Sequence, residues 1–300
     1  MLSIKLKTLR GGVKLQIYND VPKDTKVIVD RIKNAEVITA NWIDITKEII
    51  ELSPKLRYII VPSVGYDWID IKTATQKGIK VINCPTHNSM AVANFVIGLM
   101  ISITRQISQA NNDIKEGNWQ PSKFKGVEIS GKKLGLVGNG NIGRKIADVA
   151  KYMGMEVMMI NSKSSQEEVD NILKNSDIIS INIPLTDKTK HFIDERRLRL
   201  MKINSYLINT SRGAIIDQKA LINIIEEDHF AGVALDVFEN EPLILNGKLN
   251  EEIIKLANMN KVLATPHIAF NSEETWKRLG TEMIENIKAI VNNNPINVVN

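Results

Sequence analysis

The chain has 300 residues, of which 43% are apolar and 24% charged, with 39 Lys and Arg against 34 Asp and Glu. That is the composition of a soluble globular protein with one large domain or two. The net charge of +5 is scattered, and its densest cluster, Arg196-Arg197-Leu198-Arg199, sits on a predicted helix, so no nucleic-acid surface is indicated. Ala91 to Ile103 is the most apolar stretch, but it is interrupted by Asn94 and too short to span a bilayer. The opening residues alternate like a strand and lack a secretory apolar core. A single cysteine, Cys84, makes no internal disulfide and fits a cytoplasmic location. It reads as a small buried side chain. No Cys/His spacing suggests a metal.

Strands are predicted at Ile4–Leu6, Lys14–Tyr18, Ala35–Thr39, Tyr58–Val61 and Lys80–Ile82. Helices are predicted at Thr25–Lys33, Thr46–Leu52 and Ile69–Lys77. Their alternation calls for a parallel sheet. One long helix is expected from Ala91 to Glu116. Further strands follow at Leu134–Val137, Glu156–Met159, Asp177–Ile183, Ser205–Asn209, Gly232–Leu235 and Lys261–Ala264. Helices are expected after the glycine motif, at Asp194–Met201, at Gln218–Glu226 and from Ser272 to Val291. The chain thus reads as two parallel α/β units. The second is inserted into the first, and the last helix returns to the first.

The second unit opens on Gly138-Asn-Gly140-Asn141-Ile142-Gly143-Arg144, a G-x-G-x-x-G between a strand and a helix. Gly138 permits the tight turn, Gly140 lets the backbone approach a pyrophosphate, and Gly143 lets helix and strand pack closely. The N–H groups and dipole of that helix end attract the anion. Arg144 adds a cationic contact. Later in the same unit, Arg212, Glu241 and His267 are expected at successive strand ends on one sheet edge. These types suit hydride chemistry on a 2-oxo acid. A guanidinium holds a carboxylate and polarises a carbonyl, a histidine donates the proton, and a carboxylate beside it favours imidazolium. His87, His191 and His229 are poorer candidates, lying in a turn, a polar loop and an acidic helix end.

Asn209-Thr-Ser-Arg212-Gly213, Asp236-Val-Phe-Glu-Asn-Glu241-Pro242 and Thr265-Pro-His267-Ile-Ala resemble the motifs of the D-isomer-specific 2-hydroxyacid dehydrogenases. Val64-Gly65-Tyr-Asp67, Asn88-Ser-Met-Ala-Val-Ala93, the glycine motif, Asp177 to Thr186 and Pro295 to Asn300 match in the same order. The resemblance covers essentially the whole chain. It implies an α/β protein of two doubly wound parallel-sheet domains. A flavodoxin-like substrate domain (1–92 and 270–300) and an inserted Rossmann dinucleotide-binding domain (93–269) flank an active-site cleft. A homodimer is implied too. By resemblance His267 is the general acid/base, Glu241 its partner, and Arg212 a substrate ligand. Val64 and Gly65 receive the substrate carboxylate. Asn141, Ile142, Pro184, Thr189, Thr210 and Ser211 line the cofactor, and Asp236 faces the nicotinamide carboxamide.

Departures from the family pattern point to specificity. The acidic residue often found after the second strand of the dinucleotide unit is replaced by Asn161-Ser162-Lys163. An Asp repels a 2′-phosphate, whereas Ser and Lys can bind one, so NADP is favoured over NAD. Asn94, Asn182 and Phe270 stand where many members have Glu, His and Gly. The expected substrate is a small 2-oxo or D-2-hydroxy acid, with glyoxylate or hydroxypyruvate reduction favoured. D-3-phosphoglycerate oxidation and a dinucleotide sensor without turnover are the alternatives.

Overall fold

The computed structural model describes residues 3–9, 12–241 and 248–300. Contacts divide the chain into one unit of residues 1–88 and 272–300 and a second of residues 89–271. The sequence reading put these crossings at 92/93 and 269/270. The observed crossings fall where two helices begin, at Ser89 and after the Ser272 cap, because a helix keeps its own turns in one unit.

The first unit starts with β1 (Ser3–Leu9) and β2 (Gly12–Tyr18), then α1 (Thr25–Ile32), β3 (Val37–Thr39), α2 (Lys47–Glu51), β4 (Tyr58–Ile60), α3 (Ile71–Gln76) and β5 (Lys80–Ile82). Its sheet runs β2-β1-β3-β4-β5. β3, β4 and β5 pair in parallel; β1 is antiparallel to both its neighbours, β2 and β3. The expected parallel sheet is present in β3, β4 and β5, and β1 joins it antiparallel. Two residues between β1 and β2 leave no room for the crossover that a parallel pair needs. Side chains of β3, β4 and β5 alternate between two cores. Ile38, Ile59 and Val81 pack with Ile28, Ile49 and Ala74 of α1 to α3. Val37, Tyr58, Ile60 and Ile82 meet Ile290 near the chain's end.

The second unit contains α4 (Ser89–Thr104), α5 (Ile107–Lys115), β6 (Lys133–Val137), α6 (Asn141–Tyr152), β7 (Glu156–Ile160), α7 (Gln166–Asn175), β8 (Ile178–Ile181), α8 (Glu195–Leu200), β9 (Tyr206–Asn209), α9 (Gln218–Glu226), β10 (Gly232–Leu235), α10 (Glu251–Ala257) and β11 (Val262–Ala264). The helix α11 (Glu273–Val291) then returns to the first unit. The expected single helix from Ala91 to Glu116 is two helices bent by 64°. The Thr104 hydroxyl bonds back to the Met100 carbonyl, and Gln106 enters the left-handed region at φ +54°, which ends the helical path. Among the described residues, no single helix is long and apolar enough to cross a membrane.

All six strands of this unit are parallel, in the order β11-β10-β9-β8-β6-β7. The chain order reverses between β6 and β8. That switch point, at the carboxyl ends of the strands, is where such sheets take ligands. The strands alternate in burial. Ile179, Leu207, Val233 and Leu235 face Leu173, Leu198 and Ile225. Leu134, Leu136, Ile178, Ile208 and Ala234 face Val96 and Met100 of α4 and Ile146 and Ala150 of α6. Apolar helices on both faces require strands that are apolar on both sides. Two helices went unread in the sequence. Ser165 and Glu168 form a reciprocal capping box that starts α7, and Asn250 caps α10 ahead of Glu251 and Glu252.

Ile146 is fully buried between α4 and the sheet. Ile146→Ala is expected to lower unfolding stability by about 2–5 kcal/mol. Chemical denaturation followed by circular dichroism checks this.

Candidate active site

Gly138 ends β6 at φ +120°, and a side chain there would run into the Asn182 carbonyl. A Cβ on Gly143 would strike the Gly138 carbonyl, so helix and turn touch backbone to backbone. Gly140 is different: nothing lies within 4 Å of the position its Cβ would take. It is the N-cap of α6 and supplies no side-chain cap to the first turn. The three glycines therefore hold the separate tasks their spacing suggests: turn, approach and packing. Asn141 and Ile142 form the first helical residues, and the exposed Arg144 guanidinium donates to Asn141 Oδ1 at 3.1 Å.

Asn161, Ser162 and Lys163 follow β7 and are all exposed. The Asn161 side chain accepts from the Lys163 N–H at 2.8 Å, and Ser164 Oγ accepts from the Asn161 N–H at 3.2 Å. This fixes a tight polar turn. Beyond β8, the Thr189 hydroxyl donates to the Pro184 carbonyl at 2.7 Å and accepts from the Thr186 N–H, so it braces its own loop. The Ser211 hydroxyl donates to the Ile181 carbonyl at 2.9 Å and ties β9's end to β8. The Thr210 hydroxyl is buried without a hydrogen-bond partner. An uncapped helix start, an open face at Gly140 and an unmatched buried hydroxyl fit a dinucleotide at this edge.

Arg212 follows β9 directly. The buried amide of Asn209 donates to the Arg212 carbonyl at 2.9 Å and its oxygen accepts from the Ser211 N–H at 3.0 Å. Asp236 follows β10 and is wholly buried. It accepts from Thr265 Oγ1 at 2.6 Å, the Ile268 N–H at 2.9 Å and the Ala269 N–H at 2.8 Å. Its carboxylate thus ties the end of β10 to the loop after β11. His267 lies in that loop at φ +53°, with its N–H on the Asp236 carbonyl at 2.8 Å.

Glu241 stands in a loop rather than at a strand end. Its Oε2 accepts from the Phe238 N–H at 3.1 Å, and its Oε1 lies 2.6 Å from His267 Nδ1. Phe270 presents an edge-on ring to His267, with centroids 6.0 Å apart. Burial pushes the Glu241 carboxyl up. The His267 hydrogen bond and charge, the Phe238 N–H and the Arg212 charge outweigh it and hold the group below its ordinary value. For Asp236, burial wins over its three donors and raises it.

In the first unit, Val64 and Gly65 follow β4. The Asn83 amide donates to the Val64 carbonyl at 2.8 Å and the Ser63 hydroxyl to the Gly65 carbonyl at 2.5 Å. Cys84 is fully buried, and burial pushes its thiol up to about 12, so it is no nucleophile at neutral pH.

Residues 97–269 match the family model described as D-isomer specific 2-hydroxyacid dehydrogenase, NAD binding domain. The chain belongs to that family. It is an oxidoreductase acting on 2-hydroxy acids with a nicotinamide cofactor. It is 36% identical to a glyoxylate reductase of Korarchaeum cryptofilum, over 98% of this chain and 92% of the relative. It is also 36% identical to a D-3-phosphoglycerate dehydrogenase of Methanocaldococcus jannaschii, over 95% of this chain. The match spans only 55% of that longer relative. Among solved structures, an acyclic imino acid reductase (Bsp5) in complex with NADPH and D-Arg superposes with a TM-score of 0.86 at 32% identity, covering 94% and 91% of the two chains. A D-lactate dehydrogenase from Aquifex aeolicus, complexed with NAD and lactic acid, superposes at 0.82 and 31%, covering 89% and 86%.

The native Glu241 value lies below the ordinary 4.5. Its contribution to folding is therefore present above pH 4.5 and is lost as pH falls through the native value. Urea titrations between about pH 5 and 3 are expected to show stability falling more steeply for the wild type than for Glu241→Gln.

Proposed function

We propose that this dehydrogenase reduces a small 2-oxo acid, glyoxylate or hydroxypyruvate, to the D-2-hydroxy acid with NADPH. The observation that carries the reading is the 2.6 Å contact between His267 Nδ1 and Glu241, on the same sheet edge as Arg212. When bound, the reduced nicotinamide supplies a hydride to the carbonyl carbon of the substrate. With Nδ1 engaged by Glu241, the proton that reaches the carbonyl oxygen leaves His267 from Nε2. Glu241 stabilises the imidazolium before transfer and fixes the ring's orientation. The Arg212 guanidinium holds the substrate carboxylate and polarises the carbonyl. The family resemblance assigns carboxylate binding to the N–H groups of Val64 and Gly65 as well, whose loop carbonyls are pinned by Asn83 and Ser63. In the reverse direction His267 accepts the hydroxyl proton.

The preference for NADPH rests on Ser162 and Lys163. Both are exposed just past β7, in a turn that Asn161 holds, where an acidic side chain would exclude a 2′-phosphate. Gly138, Gly140 and Gly143 with Asn141, Ile142 and Arg144 take the pyrophosphate, while Pro184, Thr189, Thr210 and Ser211 line the nicotinamide side. A second reading, oxidation of D-3-phosphoglycerate, is favoured by the Methanocaldococcus relative. We further infer a cytoplasmic homodimer, which light scattering tests.

Oxidation of NADPH and NADH, followed by absorbance with glyoxylate, hydroxypyruvate, pyruvate and 3-phosphohydroxypyruvate, tests the assignment. His267→Ala is expected to lower kcat by about 10²–10⁴ while cofactor affinity is kept. Full activity in that variant overturns the role of His267. Lys163→Ala is expected to weaken kcat/KM for NADPH about tenfold and leave NADH unchanged. Equal effects on both cofactors overturn the 2′-phosphate contact. Tight cofactor binding with no turnover on any of the acids favours a sensor.

A further inference from the structure

A second histidine–carboxylate pair lies in the same unit and has no part in the chemistry above. His191 Nε2 lies 3.2 Å from Glu239 Oε1. Glu239 is two residues before Glu241. His191 belongs to the loop between β8 and α8, distant in sequence. Three segments come together here. Residues 191–193 run beside 214–217: the His191 N–H donates to the Ala214 carbonyl at 2.8 Å, the Ile193 N–H to the Ile215 carbonyl, and the Asp217 N–H to the Ile193 carbonyl. On the other side, Gly213 packs so tightly on Phe238 and Glu239 that a Cβ would overlap their backbone. The turn after Arg212 is therefore clasped between the 191–193 and 238–239 segments. The His191–Glu239 contact joins the two jaws.

Two further observations mark this contact as more than a surface pair. His191 adopts a left-handed φ of +49°, which a non-glycine residue keeps only when its surroundings hold it. Its backbone donor and its ring are used on different segments, which supplies that hold. Glu239 in turn donates its N–H to Gln218 Oε1 at 3.0 Å, and Gln218 is 4% exposed at the start of α9. The jaw that carries Glu241 is thus anchored to buried structure at one point and to His191 at another.

We propose that His191 and Glu239 are positioning residues: a strap that holds the Arg212 turn and the Glu241 carboxylate in register for the reaction. The proposal rests on the roles given to Arg212, Glu241 and His267. The pair is half-exposed, so it contributes little to global stability. Its effect is local. It keeps the Phe238–Glu241 turn against Gly213, so that Glu241 meets His267 in the reactive geometry.

The test uses the purified full chain with NADPH and whichever of glyoxylate, hydroxypyruvate and pyruvate turns over fastest. His191→Ala is expected to lower kcat about tenfold, with KM for both substrates within about twofold. A carboxylate partner favours imidazolium, so a loosened Glu241 shifts the alkaline limb of the reduction profile to lower pH, by about half a unit. The melting temperature is expected to move by less than about 2 °C. His191→Gln, whose amide can donate from near the place of Nε2, restores most of kcat. The double variant His191→Ala/Glu239→Ala loses no more than either single one, as members of one contact do. Wild-type kcat and pH profile in His191→Ala, beside an inactive His267→Ala, overturn the strap alone. Losses of the two single variants that multiply in the double also overturn it. An active His267→Ala overturns the underlying reading, and the strap with it.

Discussion

A buried carboxylate, Asp236, holds the loop that carries His267. Asp236 is removed from water at the end of β10, where an isolated carboxylate is costly. Three donors from the next strand's loop offset part of that cost: the Thr265 hydroxyl and the Ile268 and Ala269 N–H groups. They leave the 265–269 loop one conformation, in which His267 is left-handed and its N–H returns to the Asp236 carbonyl. A histidine at φ +53° is strained by itself, and the strain persists because both ends of the loop are fixed. With the ring's origin set, Glu241 engages it through Nδ1 and Phe270 packs edge-on against it.

The same economy runs along the sheet edge. Parallel strands β9, β10 and β11 release Arg212, Asp236 and the His267 loop at one end because all their carboxyl termini point the same way. The sheet can only be parallel because helices cover both of its faces, and the helices can only lie there because the strands are apolar on both sides. Core alternation and site assembly are thus one arrangement. The glycine turn after β6 belongs to it as well. Gly138 and Gly143 are required by packing against backbone, and Gly140 alone leaves room for another molecule.

How much of this is legible in the sequence follows from the range of the interactions. The strands of the second unit, the glycine turn and the motif residues were readable because each is encoded within a few neighbouring residues. The antiparallel direction of the β1–β2 pair was not legible, because alternation of side chains marks a strand but not its direction. Helix α7 was missed although Ser165 and Glu168 spelled a capping box, since attention to apolar period overlooks a helix with only Val169 and Leu173 buried. The bend after Thr104 needs a left-handed Gln106, which no local pattern announces. The His191–Glu239 contact joins residues 48 apart, beyond any window of sequence reading.

Opposite electrostatic demands meet within six residues. Asp236 and Glu241 belong to one turn, yet burial raises the first while His267 and its neighbours lower the second. The difference lies in what each carboxylate faces. For Asp236, burial outweighs the three donors and the more distant His267 charge, so its proton is held more tightly than in the unfolded chain. Its contribution to stability is complete below 3.8 and declines as pH rises through the raised native value. Glu241 faces an ionisable ring and lies within reach of the Arg212 charge, so its ionised form is the favoured one. A carboxylate that must stabilise imidazolium has to be charged when the proton moves, and one that only holds backbone donors does not. Glu241 therefore meets His267 only insofar as Asp236 holds the 265–269 loop opposite it.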